Sequence, residues 1–116
     1  MTRIEISEEP LRHLFGSVTA YHTLMYLAAC GRGYAAEIAR VHEQALAPVQ
    51  RQLRKFEGVG LIVSRMEGNT RFYYWGRGPI ASALEKFLLE MVDLLPEATY
   101  ARRYVTRRRP RRQGKA

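Results

Sequence analysis

Residues 47–60 read APVQRQLRKFEGVG. Val49, Leu53 and Phe56 recur at the three- and four-residue steps that gather apolar side chains on one face of an α-helix, and Gln50, Arg51 and Arg54 fall on the other. Pro48 suits the first turn, where its missing N–H breaks no intrahelical bond, and Gly58 and Gly60 supply the stop. The spacing predicts a helix over residues 47–56 that buries one side and presents glutamine and arginine on the other.

Two helices are predicted upstream. The first follows a cap at Ser17, preceded by Gly16, and carries Val18, Tyr21, Leu24, Met25 and Ala28 at helical steps until CGRG (30–33) ends it. The second is short, within YAAEIARV (34–41), with Ala35, Ile38 and Ala39 inward and Glu37 and Arg40 outward; a break near HEQ (42–44) follows. Downstream the period changes. LIVSRM (61–66) and RFYYW (71–75), rich in β-branched and aromatic residues, flank EGNT (67–70) and predict a β-hairpin. Gly68-Asn69 suits a type II′ turn, in which glycine takes the first central position. Both strand faces hold apolar residues, so either face of Phe72, Tyr73 and Tyr74 could be the buried one.

A last helix is predicted from Pro79 to before Pro96, with Ile80, Ala83, Leu84, Phe87, Leu88, Met91, Val92, Leu94 and Leu95. It is apolar around more of its circumference than one small core needs. Its surplus is expected to meet a second copy, the N-terminal segment LRHLF (11–15) folded back on it, or both.

The 116 residues, 47% of them hydrophobic, suffice for one core, so residues 1–96 are read as one domain. No run approaches the roughly 20 apolar residues of a membrane span, and MTRIEISEEP has no signal-peptide pattern, so the expectation is a soluble cytoplasmic chain with no membrane partner. Cys30 is the only cysteine, which excludes an internal disulfide and a CxxC clamp. The net charge of +8 is unevenly spread. Residues 1–96 carry 11 Lys and Arg against 10 Asp and Glu, whereas residues 97–116 carry 8 against one. Residues 97–116 are therefore expected to be a flexible basic tail.

Two short helices, the second with an outward Gln/Arg face, followed by a hairpin with arginines at its feet, form the winged helix-turn-helix order. EIARVHEQALAPVQRQLRKFEGVGLIVSRMEGNTRFYYW (37–75) resembles the DNA-binding core of small ArsR- and MarR-type winged-helix transcriptional regulators. The resemblance covers about residues 14–96, and the layout is closest to the ArsR-like form. It implies a mostly α fold with a β-hairpin wing and a terminal helix for dimerisation. It further implies a sequence-specific, double-stranded-DNA-binding repressor acting as a homodimer on an inverted repeat. Carried over by position, the recognition helix runs from Ala47, with Pro48 fixing how it enters the groove and Gln50, Arg51 and Arg54 facing the bases; Arg65, Asn69 and Arg71 lie on the wing. One departure stands out: the family usually has leucine then glycine at the bend, where this chain has His42 and Glu43. A non-glycine residue at positive φ costs about 1 kcal/mol, and the bend is expected to be altered.

The chemistry supports the same reading independently, since outward Gln and Arg offer forked donors to guanine and paired amide groups to adenine. The competing readings are an ordinary solvated face on this helix and, for Arg65 and Arg71, pairing with Glu67 across the hairpin. In the tail, Arg107, Arg108, Arg109, Arg111 and Arg112 are expected to neutralise phosphates, although Arg108-Arg109-Pro110 lacks the glycine of a minor-groove hook. The expected dimer interface comprises Leu11, Leu14, Phe15, Phe87, Leu88, Met91 and Leu95.

No catalytic or metal motif is present, so neither an enzyme nor a cofactor is expected. ArsR-type metal sensors use a Cys-x-Cys pair or an Asp/His cluster on the last helix; here Cys30 stands alone, His13, His22 and His42 are not spaced as ligands, and the last helix offers only Glu85, Glu90 and Asp93. The alternative function is a winged-helix protein-interaction module, antitoxin-like, with only nonspecific nucleic-acid binding.

Overall fold

Ser17 begins the helix around which the other elements are arranged. Its hydroxyl accepts the N–H of Ala20 at 3.0 Å, and Gly31, at φ 86°, closes the far end by donating to the carbonyl of Leu27 at 2.9 Å. The computed structural model describes residues 4–105. Among them lie α1 (Glu9–Leu14), α2 (Val18–Cys30), β1 (Arg32–Gly33), α3 (Ala35–His42), α4 (Leu46–Gly58), β2 (Ile62–Glu67), β3 (Thr70–Trp75), α5 (Pro79–Asp93) and α6 (Glu97–Tyr104). The fold is mostly helical with one small antiparallel sheet in the order β1-β3-β2.

Every residue from Ala20 to Cys30 is buried, because α2 packs against α1, α3, α4, α5, α6, β1 and β3. A helix without a solvated face has to be enclosed on all sides. On one side of it α3 ends at His42, and Glu43 turns the chain with φ 56° and ψ 43°. Glu43 is the only non-glycine residue at positive φ among the described residues. The bend at His42-Glu43 is a tight left-handed turn made without glycine. It is held by Gln44 N–H donating to the Ala39 carbonyl at 2.8 Å and by Thr19 Oγ1 of α2 donating to Gln44 Oε1 at 2.8 Å. His42 is buried where the resemblance would place a leucine.

In α4, Val49, Leu53 and Phe56 are buried as their spacing requires, and Pro48 lies in the first turn. In the hairpin, Glu67 pairs with Thr70 across Gly68-Asn69, and Gly68 alone of the two takes positive φ, 63°, as a type II′ turn demands. The register settles the faces. Ile62, Ser64 and Met66 share one with Arg71, Tyr73 and Trp75, and of these Ile62, Tyr73 and Trp75 are buried. Val63, Arg65 and Glu67 share the other with Thr70, Phe72 and Tyr74. The two-residue strand β1, which the sequence reading did not include, pairs Arg32 with Tyr74 and Gly33 with Tyr73. A Cβ on Gly33 would stand 2.6 Å from Cε1 of Tyr26, so only glycine lets β1 lie across that ring.

Two expectations are corrected. Leu11, Leu88 and Leu95, assigned to an interface between copies, are buried within the chain, since α5 packs on α2 and Ile6 N–H bonds the Leu94 carbonyl at 2.9 Å. Of the rest of that set, Leu14 is 65% and Phe87 36% exposed, while Phe15 and Met91 are half-buried. Second, the segment from Glu97 does not begin as a tail: α6 docks on α2 with Tyr100, Arg103 and Tyr104 buried. Two tyrosines four residues apart give α6 an apolar stripe, and Arg103 is neutralised by Glu8. Arg107, Arg108, Arg109, Arg111 and Arg112 lie outside the described residues. Among the described residues no helix is long and apolar enough to cross a membrane.

Candidate functional site

Leu46, Gln50, Arg54 and Glu57 follow one another along one stripe of α4, at steps of three and four. Opposite them stand Asn69 and Thr70 at the hairpin tip and Arg71 and Tyr73 on β3; Tyr34 to Ala36, at the start of α3, complete the wall. Together they line an open cleft of about 800 Å³. The sheet register puts Arg71 on the cleft side, because it shares a face with Ser64 and Tyr73.

The cleft residues are tied together. Ser64 Oγ donates to Glu57 Oε2 at 2.6 Å, and Arg71 Nη1 donates to Ser64 Oγ at 2.9 Å, so a hydroxyl links the α4 carboxylate to the β3 guanidinium. Burial and, after it, the Glu57 carboxylate push the Tyr73 phenol above its ordinary range, against the opposing influence of Arg71 and Arg54. Gln50, Arg54 and Asn69 are exposed. The cleft therefore offers two guanidinium forks and two amide groups around one carboxylate, a donor-rich set suited to an anionic, hydrogen-bonding ligand.

Of the residues singled out from sequence, Gln50, Arg54, Asn69 and Arg71 come together here. Arg51 is exposed on the neighbouring stripe of α4, outside the cleft, as is Ala47, and Pro48 is half-buried. Arg65 lies on the opposite face of the hairpin. There it donates to Tyr74 Oη at 3.1 Å and to Glu67 at 3.4 Å, with its guanidinium carbon 4.7 Å from the Tyr74 ring centre. Arg32 does the same from β1, 2.7 Å from Glu67 and 4.1 Å over the Phe72 ring. Tyr74 also donates to Glu67; this bond first, and Arg32 next, hold the Glu67 carboxyl below its usual range. The pairing with Glu67 is thus what Arg65 adopts, whereas Arg71 takes Ser64.

Tyr34, Glu57, Thr70 and Tyr73 were not anticipated as cleft residues. Glu57 continues the stripe of Gln50 and Arg54, and Tyr73 lies two residues from Arg71 on the same strand face, so both followed from the period once the face was known. Among the described residues no group of three or more His, Cys, Asp or Glu side chains could hold a metal ion.

No protein-family model matches this chain, and no curated protein matches it at a significant level.

Proposed function

We propose that this chain is a winged helix-turn-helix regulator that binds specific double-stranded DNA as a homodimer and represses transcription. The observation that carries the reading is the cleft in which Gln50 and Arg54 of α4 face Asn69 and Arg71 of the hairpin. Under this reading α3, the Glu43 bend and α4 form the helix-turn-helix, and the exposed side of α4 enters the major groove. The forks and amides are the groups that read base edges, and the hairpin arginine lies beside the backbone. The second copy would meet this one over the apolar positions left on the surface, Leu14, Ile80 and Phe87.

The test is selection of bound duplexes from a randomised pool, followed by mobility shifts on the selected and on scrambled DNA at several salt concentrations. The expected result is an inverted repeat with half-sites about one helical turn, roughly 34 Å, apart. The selected site should be bound at least about a thousandfold more tightly than scrambled DNA. Equal affinity for both overturns the reading.

A further inference from the structure

Two histidines 20 residues apart in sequence meet in the core, away from the cleft. His22 of α2 and His42 at the end of α3 have ring centroids 4.4 Å apart, and both side chains are almost wholly out of water. Tyr104, the last residue of α6, places its hydroxyl 3.0 Å from His42 Nε2 and is fully buried. Tyr26 of α2 stands edge-on to the rings of both His42 and Tyr104, and Tyr21 packs on His22. Neither imidazole Nδ1 has a hydrogen-bond partner among the described residues.

The charged groups around this cluster come from three elements: Glu8 precedes α1, Arg12 lies on α1 and Arg103 on α6. Glu8 is already engaged, accepting two bonds from Arg103 and one from Tyr21. Cys30, near Tyr26 and Tyr104, adds no anion as a thiol. A proton on either imidazole would therefore create a buried cation facing the other ring and Arg103, and the one nearby carboxylate, Glu8, is already paired with Arg103 and offsets this only in part at His22.

We propose that the His22–His42–Tyr104 cluster is a proton-operated latch: uptake of a solvent proton by His22 or His42 undocks α6 from α2 and α3 while the remaining core stays folded. This does not depend on the DNA reading.

The sign follows from the docked environment. Burial first, and Arg103 next, bring His22 down to about 4; burial first, then His22 and Arg103, bring His42 down to about 2. Released, both return towards 6.5. Groups held neutral in this way stabilise docking fully above pH 6.5 and lose that contribution as pH falls below it. In that window the docking equilibrium weakens by about tenfold per pH unit for each imidazole that takes up a proton on release. In the docked form Arg103 and Tyr21 hold the Glu8 carboxyl below its usual range. Release of α6 withdraws Arg103, and any proton Glu8 then takes up adds to the slope, so the reduction in the histidine variants is what assigns the slope to the imidazoles.

The experiment is amide hydrogen exchange on the full chain by NMR from pH 7.5 to 5.0, with each rate divided by its intrinsic value. Protection of the α6 amides should fall at least about tenfold between pH 6.5 and 5.0 while α5 amides hold theirs. His22→Gln and His42→Gln, each keeping a neutral polar side chain, should each reduce the slope. Constant α6 protection, parallel loss in α5 and α6, or an undiminished slope in both variants overturns the latch. Should either variant not fold, the imidazole carbon shifts of the natural chain decide. Rings of His22 and His42 that are protonated at pH 5.5 while α6 remains protected overturn it; rings neutral in the docked form support it.

Discussion

Glu8 and Arg103, 95 residues apart, form a bidentate buried ion pair, with Nη1 and Nη2 donating to the two carboxylate oxygens at 2.8 and 3.0 Å. Tyr21 of α2 donates to the same carboxylate, so one anion joins the segment before α1, the central helix and α6. Burial alone would raise the Glu8 carboxyl; its bonds to Arg103 and Tyr21 outweigh that and hold it below the usual carboxylate range.

Arg103→Ala leaves that carboxylate buried without its partner and should destabilise the chain by about 3 to 5 kcal/mol in urea unfolding at pH 7. Glu8→Leu/Arg103→Met, which removes both charges, should recover most of the loss. Because the Glu8 carboxyl is lowered in the fold, its contribution is complete above pH 4.5 and disappears as pH falls through the folded value. Glu8→Gln should therefore flatten the stability profile below pH 4.5.

Gly33→Ala should cost about 1 to 3 kcal/mol, since its methyl would stand 2.6 Å from the Tyr26 ring, whose hydroxyl is tied to Glu37 Oε1 at 2.6 Å. Gly58→Ala is the control. Nothing lies within 4 Å of a Cβ there, and the position ends α4, so thermal melting should show no loss.

Arg54→Ala should lower affinity for a selected DNA site by about 1 to 3 kcal/mol and for scrambled DNA much less. Arg65→Ala should leave the ratio of the two nearly unchanged, because that guanidinium is held on the other face by Glu67 and Tyr74. Titrations of both variants on both duplexes check this. An equal effect of the two substitutions would mean that the cleft does not select the sequence.

Under the DNA reading, removal of residues 106–116 should weaken all DNA alike. The dependence of log K on log salt should flatten by about 0.9 for each lost phosphate contact. Removal of 102–116 takes Arg103 and Tyr104 as well and should lower stability by at least about 3 kcal/mol. Calorimetry of the two truncations beside their salt titrations separates arm from core.

The elements that could be read from sequence are those whose evidence is local. Ser17, Pro48 and Gly68-Asn69 are punctuation that acts within a few residues, and the stripe of Val49, Leu53 and Phe56 is complete inside one helix. α6 was hidden because its arginines resemble a solvated arm; the partner that buries Arg103 is Glu8, at the other end of the described chain, and no local period reveals it. The hairpin faces stayed open because the outward rings of Phe72 and Tyr74 are apolar too, covered by Arg32 and Arg65. Leu88 and Leu95 could not be separated from the exposed Ile80 and Phe87 by sequence for the same reason: they are enclosed by elements remote in sequence. In the cleft, Gln50, Arg54, Asn69 and Arg71 were legible as residues, but only the strand register could separate Arg71 from Arg65.

The enclosure of α2 sets how the chain tolerates change. Along α4 a saturation scan should trace a ripple, strict at Val49, Leu53 and Phe56 and permissive between them. From Ala20 to Cys30 no ripple can exist, for every side chain there ends in another element. Between Ala20 and Cys30 the helix offers no exposed site for a label or a cross-linker. Tolerated substitutions should fall in the outer layer, and a change that compensates a substitution between Ala20 and Cys30 should come from a different segment of the chain.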